Sequence, residues 1–106
     1  MKTQIQSLDF NANSTLLKLV EDKLEKIYHF SDRIQEGKVI LKLDKSDTRE
    51  NKICEIRLVI PGNDLFAKKA GSTFEEALEH VVNALEKQIT TWKTKSHDRQ
   101  VKTAKD

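Results

Sequence analysis

The sequence predicts an α+β fold: a two-layer sandwich in the order β-α-β-β-β-α, with two helices on one face of a four-stranded sheet. Two segments repeat apolar residues at helical spacing, around Leu16–Ile27 and Phe74–Trp92. Three segments, "KVILKLD", "KICEIRLVI" and "DLFAKK", alternate in strand fashion and are joined by short polar loops. Each helix has one apolar face to bury, and a sheet covered on one side supplies the surface.

The opening "TQIQSLDF" spaces Ile5, Leu8 and Phe10 through polar residues and reads as a first strand whose alternation breaks near Leu8. A helix follows, capped by Asn13 or Ser14. Its Leu16, Val20, Leu24 and Ile27 make one buried face, while Glu21, Asp22 and Glu25 lie toward solvent and Lys23 and Lys26 lie together on the Leu19 side. In the second strand Val39, Leu41 and Leu43 share one side. "KSDTREN" is a mixed-charge hairpin loop without the glycine that a calcium loop requires. In the third strand Cys54, Ile56, Leu58 and Ile60 face one way. Pro61, Gly62 and Asn63 then turn the chain. The last strand directs Leu65 and Ala67 to the core and Phe66 and Lys68 outward. The long helix starts with a capping box, Ser72 with Glu75 or Thr73 with Glu76. Its stripe runs Phe74, Ala77, Leu78, Val81, Val82, Leu85, Ile89, Trp92, and the helix is expected to end near Lys95. The domain organisation is therefore one folded unit over residues 1–95 and a flexible basic tail over 96–106.

With 106 residues, the chain has room for one modest core. No run of about 18 apolar residues is present, which excludes a membrane-spanning helix from the reading. The single Cys54 has no internal disulfide partner and reads as a buried, inert thiol, in keeping with a reducing, cytoplasmic setting. The net charge of +2 hides an asymmetry: residues 93–106 hold five cations against two acids. That bias points to a negatively charged partner, or to a solubilising tail.

Little in the sequence points to an enzyme. His29, His80 and His97 are scattered, the serines lie in caps and loops, and "PGN" is a turn rather than a phosphate cradle. No catalytic residue, metal site, cofactor or small-molecule substrate is expected. A surface of lysines on the two helices, by contrast, meets phosphates by charge and shape. Lys23, Lys26, Lys87, Lys93, Lys95 and Arg99 are its members. Taken singly, each also fits a structural role: Lys23 and Lys26 are interleaved with acids, and Lys93 and Lys95 complement a helix dipole.

Three segments in order carry a family pattern: "LLKLVEDKLEKIYHF", "EIRLVIPGNDLFAKK" and "TFEEALEHVVNALEKQITTWKTK". The chain resembles, over roughly residues 3–95, the ribosome hibernation-promoting factors and ribosome-associated inhibitors, the "sigma-54 modulation" family. The resemblance implies a fold similar to a double-stranded-RNA-binding domain. It implies binding of the small ribosomal subunit and its ribosomal RNA in the channel for messenger and transfer RNA. The activity implied is inhibition of translation by steric occlusion during starvation or stationary phase. Lys23, Lys26, Lys87, Lys93 and Lys95 match basic positions of the family's helices. Ala84, Thr90 and Thr91 stand where the family often has basic residues, which shifts the expected contact toward Lys68, Lys69 and the tail. The chain looks like a short-type member, and a ribosome-dimerising helper factor is a further partner of the kind the family uses. The competing reading is a non-enzymatic regulatory or structural module of the same fold that binds a protein.

Overall fold

The computed structural model describes the backbone of residues 2–45 and 49–105, and side chains as far as Thr94. Part of the "KSDTREN" loop, residues 46–48, therefore lies outside the described residues. Six elements follow in order: β1 (Lys2–Leu8), α1 (Ser14–Tyr28), β2 (Glu36–Leu43), β3 (Lys52–Val59), β4 (Leu65–Gly71) and α2 (Phe74–Lys105). The sheet is mixed, with spatial order β1-β2-β3-β4. β1 pairs parallel to β2, with Ile5 opposite Val39, and α1 is the crossover between them. β2, β3 and β4 form the antiparallel meander that the short loops predict.

Registers place Val39, Leu41, Cys54, Ile56, Leu58 and Ala67 on one sheet face, where all are buried. Leu16, Val20, Leu24 and Ile27 of α1, and Leu78, Val81, Leu85 and Ile89 of α2, close over them. Fully burying an aliphatic side chain contributes about 1.5–3 kcal/mol, so this single layer dominates stability. The other face carries Lys38, Lys42, Glu55, Arg57, Phe66 and Lys68, none of them buried.

Local signals fix the element ends. The Asn13 side chain accepts the N–H of Leu16 at 2.8 Å and caps α1. At α2, Thr73 is the cap: its Oγ1 accepts from Glu76 N–H at 3.0 Å. Phe10 stacks on Phe74 at 4.4 Å between ring centroids, which ties the start of α1 to the start of α2. Tyr28, at the last turn of α1, shares a 2.6 Å hydrogen bond with Thr3 of β1. Only a glycine fits opposite it, because a Cβ on Gly37 would run into the Tyr28 hydroxyl.

Both helices begin at the same end of the sheet and run the same way. Lys23 meets Glu79 midway, and further along Phe30 meets Lys93. The backbone of α2 continues to Lys105, past the end expected near Lys95. No glycine, asparagine or proline interrupts residues 93–105.

Candidate nucleic-acid interface

Three shallow hollows adjoin on the helical side. Lys69, His80, Asn83, Ala84 and Lys87 line the first. Phe30, Asn83, Glu86, Lys87, Thr90 and Thr91 line the second. Lys26, His29 and Phe30 line the third. Asn83 and Lys87 border the first two, and Phe30 borders the last two. The hollows are therefore one continuous surface. It runs from Lys69 at the sheet edge, across α2 at Lys87, to Phe30 and Lys26 at the end of α1.

The positions of these side chains follow from the sequence period. Lys69 follows Ala67 by two along β4, so it shares the helix side of the sheet, and β4 is an edge strand. Lys68 points to the opposite face and lies across from Glu55. The structure thus separates the adjacent pair Lys68 and Lys69. His80, Ala84, Lys87 and Thr91 recur at three- and four-residue steps along α2 and form one row, exposed except at the half-buried Ala84.

The remaining basic residues are less available. Lys23 Nζ lies 3.1 Å from Glu79, and its side chain is only 25% exposed. That pair bridges the two helices. Lys93 Nζ donates to the Phe30 carbonyl at 2.6 Å and clips the end of α1 to α2. Beside it, the Arg33 guanidinium lies 4.3 Å from the centroid of the Trp92 ring. The side chains of Lys95 and Arg99 fall outside the described residues.

The first two turns of α2 are acidic, with Glu75, Glu76 and Glu79, and Glu76 lies 3.8 Å from His80. Lys87 stands beyond this acidic stretch. Ala84, Thr90 and Thr91 line the hollows themselves, so the uncharged positions noted in the sequence lie within this surface rather than away from it. Sequence reasoning missed Phe30 and Arg33. The apolar stripe of α1 ends at Tyr28, so periodicity is silent about both. "HFSDR" carries no signal beyond an aromatic next to polar residues.

Elsewhere the groups are structural. Burial, and secondarily the charge of Glu55, pushes the Cys54 thiol up to about 12, which keeps it protonated and unreactive. Burial likewise raises Tyr28. Among the described residues, no group of three His, Cys, Asp or Glu side chains is placed to hold a metal ion. No helix among them is long and apolar enough to cross a membrane.

The sequence and the fold both have known relatives. The sequence model described as "Sigma 54 modulation protein / S30EA ribosomal protein" matches residues 3–97. The chain belongs to this family. In the fold it is similar to a ribosomal subunit interface protein from Coxiella burnetii. The TM-score is 0.79 at 22% identity, covering 89% of this chain and 99% of that one. It is also similar to the N-terminal domain of Protein Y from Thermus thermophilus, with a TM-score of 0.73 at 20% identity, covering 87% and 99%. At these identities the two structures establish the shared sandwich. No curated protein sequence matches the chain. Members of this sigma 54 modulation family are ribosome-associated, and among the described residues the surface from Lys69 to Lys26 carries three exposed cations, Lys26, Lys69 and Lys87.

Proposed function

We propose that the protein binds the small ribosomal subunit in the messenger- and transfer-RNA channel and inhibits translation by occupying it. The observation that carries this reading is the continuous surface joining Lys69, Lys87 and Lys26 in a chain of the sigma 54 modulation family. The mechanism requires no chemistry. The cations neutralise ribosomal RNA phosphates, and the rigid two-layer body excludes messenger and transfer RNA from the same space. The RNA-contacting residues are Lys26, Lys69 and Lys87 as the principal set. Lys93, Lys95 and Arg99 widen it, while Lys23 is held by Glu79 and Lys68 faces the other side of the sheet. The protein acts in the cytoplasm, under starvation or in stationary phase, alone or with a ribosome-dimerising factor.

Sedimentation of the purified protein with small subunits, across a salt series, tests this. Salt-sensitive co-sedimentation together with loss of messenger-RNA binding is the expected result. Subunits that bind messenger RNA normally in the presence of saturating protein would sink the occlusion mechanism.

A second reading has one observation in its favour. Ala84, Thr90 and Thr91 line the surface with uncharged side chains. On that reading the same fold serves as a regulatory module for a protein partner. Stoichiometric recovery of one non-ribosomal protein, free of ribosomal RNA, would favour it.

A further inference from the structure

Two large apolar side chains are exposed, Phe30 at 38% and Phe66 at 39%. Their surroundings differ. Arg57 lies over the Phe66 ring, 5.1 Å from its centroid. The Gln88 side-chain amide holds the Phe66 backbone on both sides, accepting its N–H at 3.2 Å and donating to its carbonyl at 2.7 Å. Phe66 is thus occupied within the fold. No ring or cation stacks on Phe30 among the described residues.

The Phe30 backbone is nevertheless fixed. Its N–H donates to Ile27 at 3.0 Å, and its carbonyl accepts from Lys93 at 2.6 Å. The ring stands on this anchored stem between two hollows. Lys26 and His29 line one, and Asn83, Glu86, Lys87, Thr90 and Thr91 line the other. The 38% of Phe30 left in water forfeits the transfer free energy of that apolar surface. The neighbours supply what an unstacked nucleobase needs. The ring offers a π-face, Asn83 and Thr91 offer donors and acceptors for base edges, and Lys26 and Lys87 offer charge for the flanking phosphates.

We propose that Phe30 is a stacking platform for one unpaired base of the bound RNA, with Lys26 and Lys87 holding the phosphates on either side. This rests on the RNA-binding reading above and sharpens its ligand class. The protein prefers RNA with a bulged or looped-out base over a continuous duplex. Thr90 and Thr91 then have a use as small, uncharged residues, because they leave room beside the ring.

The test compares a fully paired RNA oligonucleotide with one carrying a single bulged fluorescent adenine analogue, whose emission falls when it stacks. Both are measured beside intact small subunits. Four variants are used: Phe30→Ala, Phe30→Leu, Phe30→Tyr and Phe30→Trp. Because the position is exposed, all four fold, and a thermal melt verifies it. The wild type is expected to favour the bulged RNA and quench its emission. Phe30→Ala loses about 5- to 150-fold in affinity for the bulged RNA, the range that base–aromatic stacking supports. Phe30→Leu loses a similar amount, since it is apolar but lacks a π-face, while Phe30→Tyr and Phe30→Trp retain binding. Equal affinity for both RNAs, unaffected by any variant, overturns the stacking platform and leaves the RNA-binding reading standing. Loss of subunit binding in Phe30→Ala with no effect on either oligonucleotide also overturns it, and assigns Phe30 to a protein contact. Failure of the wild type to bind either RNA or subunits overturns both readings.

Discussion

Replacing Lys69 and Lys87 together by Gln removes two cations that border the same hollow on the helical side. The magnitude follows from counterion release. Each neutralised phosphate contributes about 0.9 to the slope of log affinity against log salt on a duplex, and about 0.7 on a single strand. Losing two contacts lowers the slope by about 1.4–1.8. Over a fourfold rise in salt, the gap between wild type and variant then narrows by about 7- to 12-fold. Anisotropy of a labelled ribosomal RNA fragment, titrated at four or five salt concentrations, reads the slope directly. Two controls set the scale. Lys23→Gln removes a charge that Glu79 already balances at 3.1 Å, and its slope change should be well under half that of one contact. The triple variant Lys45→Gln, Arg49→Gln, Lys52→Gln removes three cations around the β2–β3 loop, at the end of the sheet where the helices begin. If either control shifts the slope as far as the Lys69 and Lys87 pair, the interface has been put on the wrong surface.

The remaining expectations concern the scaffold. A Cβ on Gly71 would lie 2.7 Å from the backbone nitrogen of Ala77, so Gly71→Ala forces β4 and the first turn of α2 apart. A destabilisation of about 1–3 kcal/mol in a urea melt is expected, and an unchanged midpoint would refute the close approach. Cys54 is raised from 9.0 to about 12 by burial, so the native state holds its proton where the unfolded chain releases it. Its contribution to stability is complete below pH 9 and is lost as pH rises from 9 toward 12, with a slope of up to about 1.4 kcal/mol per pH unit. Cys54→Ala should flatten that decline, and a wild-type profile level across the window would contradict it. Gln88→Ala uncovers the outer N–H and carbonyl of Phe66 on the edge strand β4. Concentration-dependent association by light scattering is expected, with little change in melting temperature, since an unguarded edge invites strand pairing.

The sandwich was legible because its signals are local and redundant. Eight stripe residues from Phe74 to Trp92 keep one angular position, and Cys54, Ile56 and Leu58 keep strict alternation. The caps were narrowed to neighbouring pairs, and the structure selects Asn13 and Thr73. The distribution of lysines was legible only as a set. Whether Lys23 faces solvent or Glu79 depends on how two helices pack across 56 positions of sequence, and periodicity within one helix does not contain that information. The Lys93 clip has the same origin, since its acceptor is a carbonyl 63 residues away. Lys68 and Lys69 differ by one step, so their faces are opposite by rule. Which of them lies beside α2 was implied by Ala67 facing the core, yet only the position of α2 over β4 gives Lys69 a basic neighbour in Lys87. Phe30 was hidden because it follows the last residue of α1, where no pattern distinguishes a core aromatic from an exposed one.

The bland account of these cations is that they complement helix dipoles, and the structure divides them on that point. α1 and α2 run in parallel, so both direct their carbonyl ends toward the same end of the sheet. Lys93 there donates to the Phe30 carbonyl just beyond α1, and Lys26 lies in the last turn of α1, as a dipole account requires. Lys87 does not fit it. It stands well inside α2, many residues before Lys105, where the dipole gives a cation no advantage. Lys69 is on a strand and has no helix end to serve. Neither has an ion partner among the described residues, yet the two border one hollow with His80 and Asn83 between them. Holding two unpaired cations beside one hollow costs Coulomb energy that an anion across both would recover, though solvent screens much of it. Lys69 and Lys87 are therefore the residues whose placement a ligand explains and the fold does not. Lys93 is accounted for by the clip even if no RNA ever touches it.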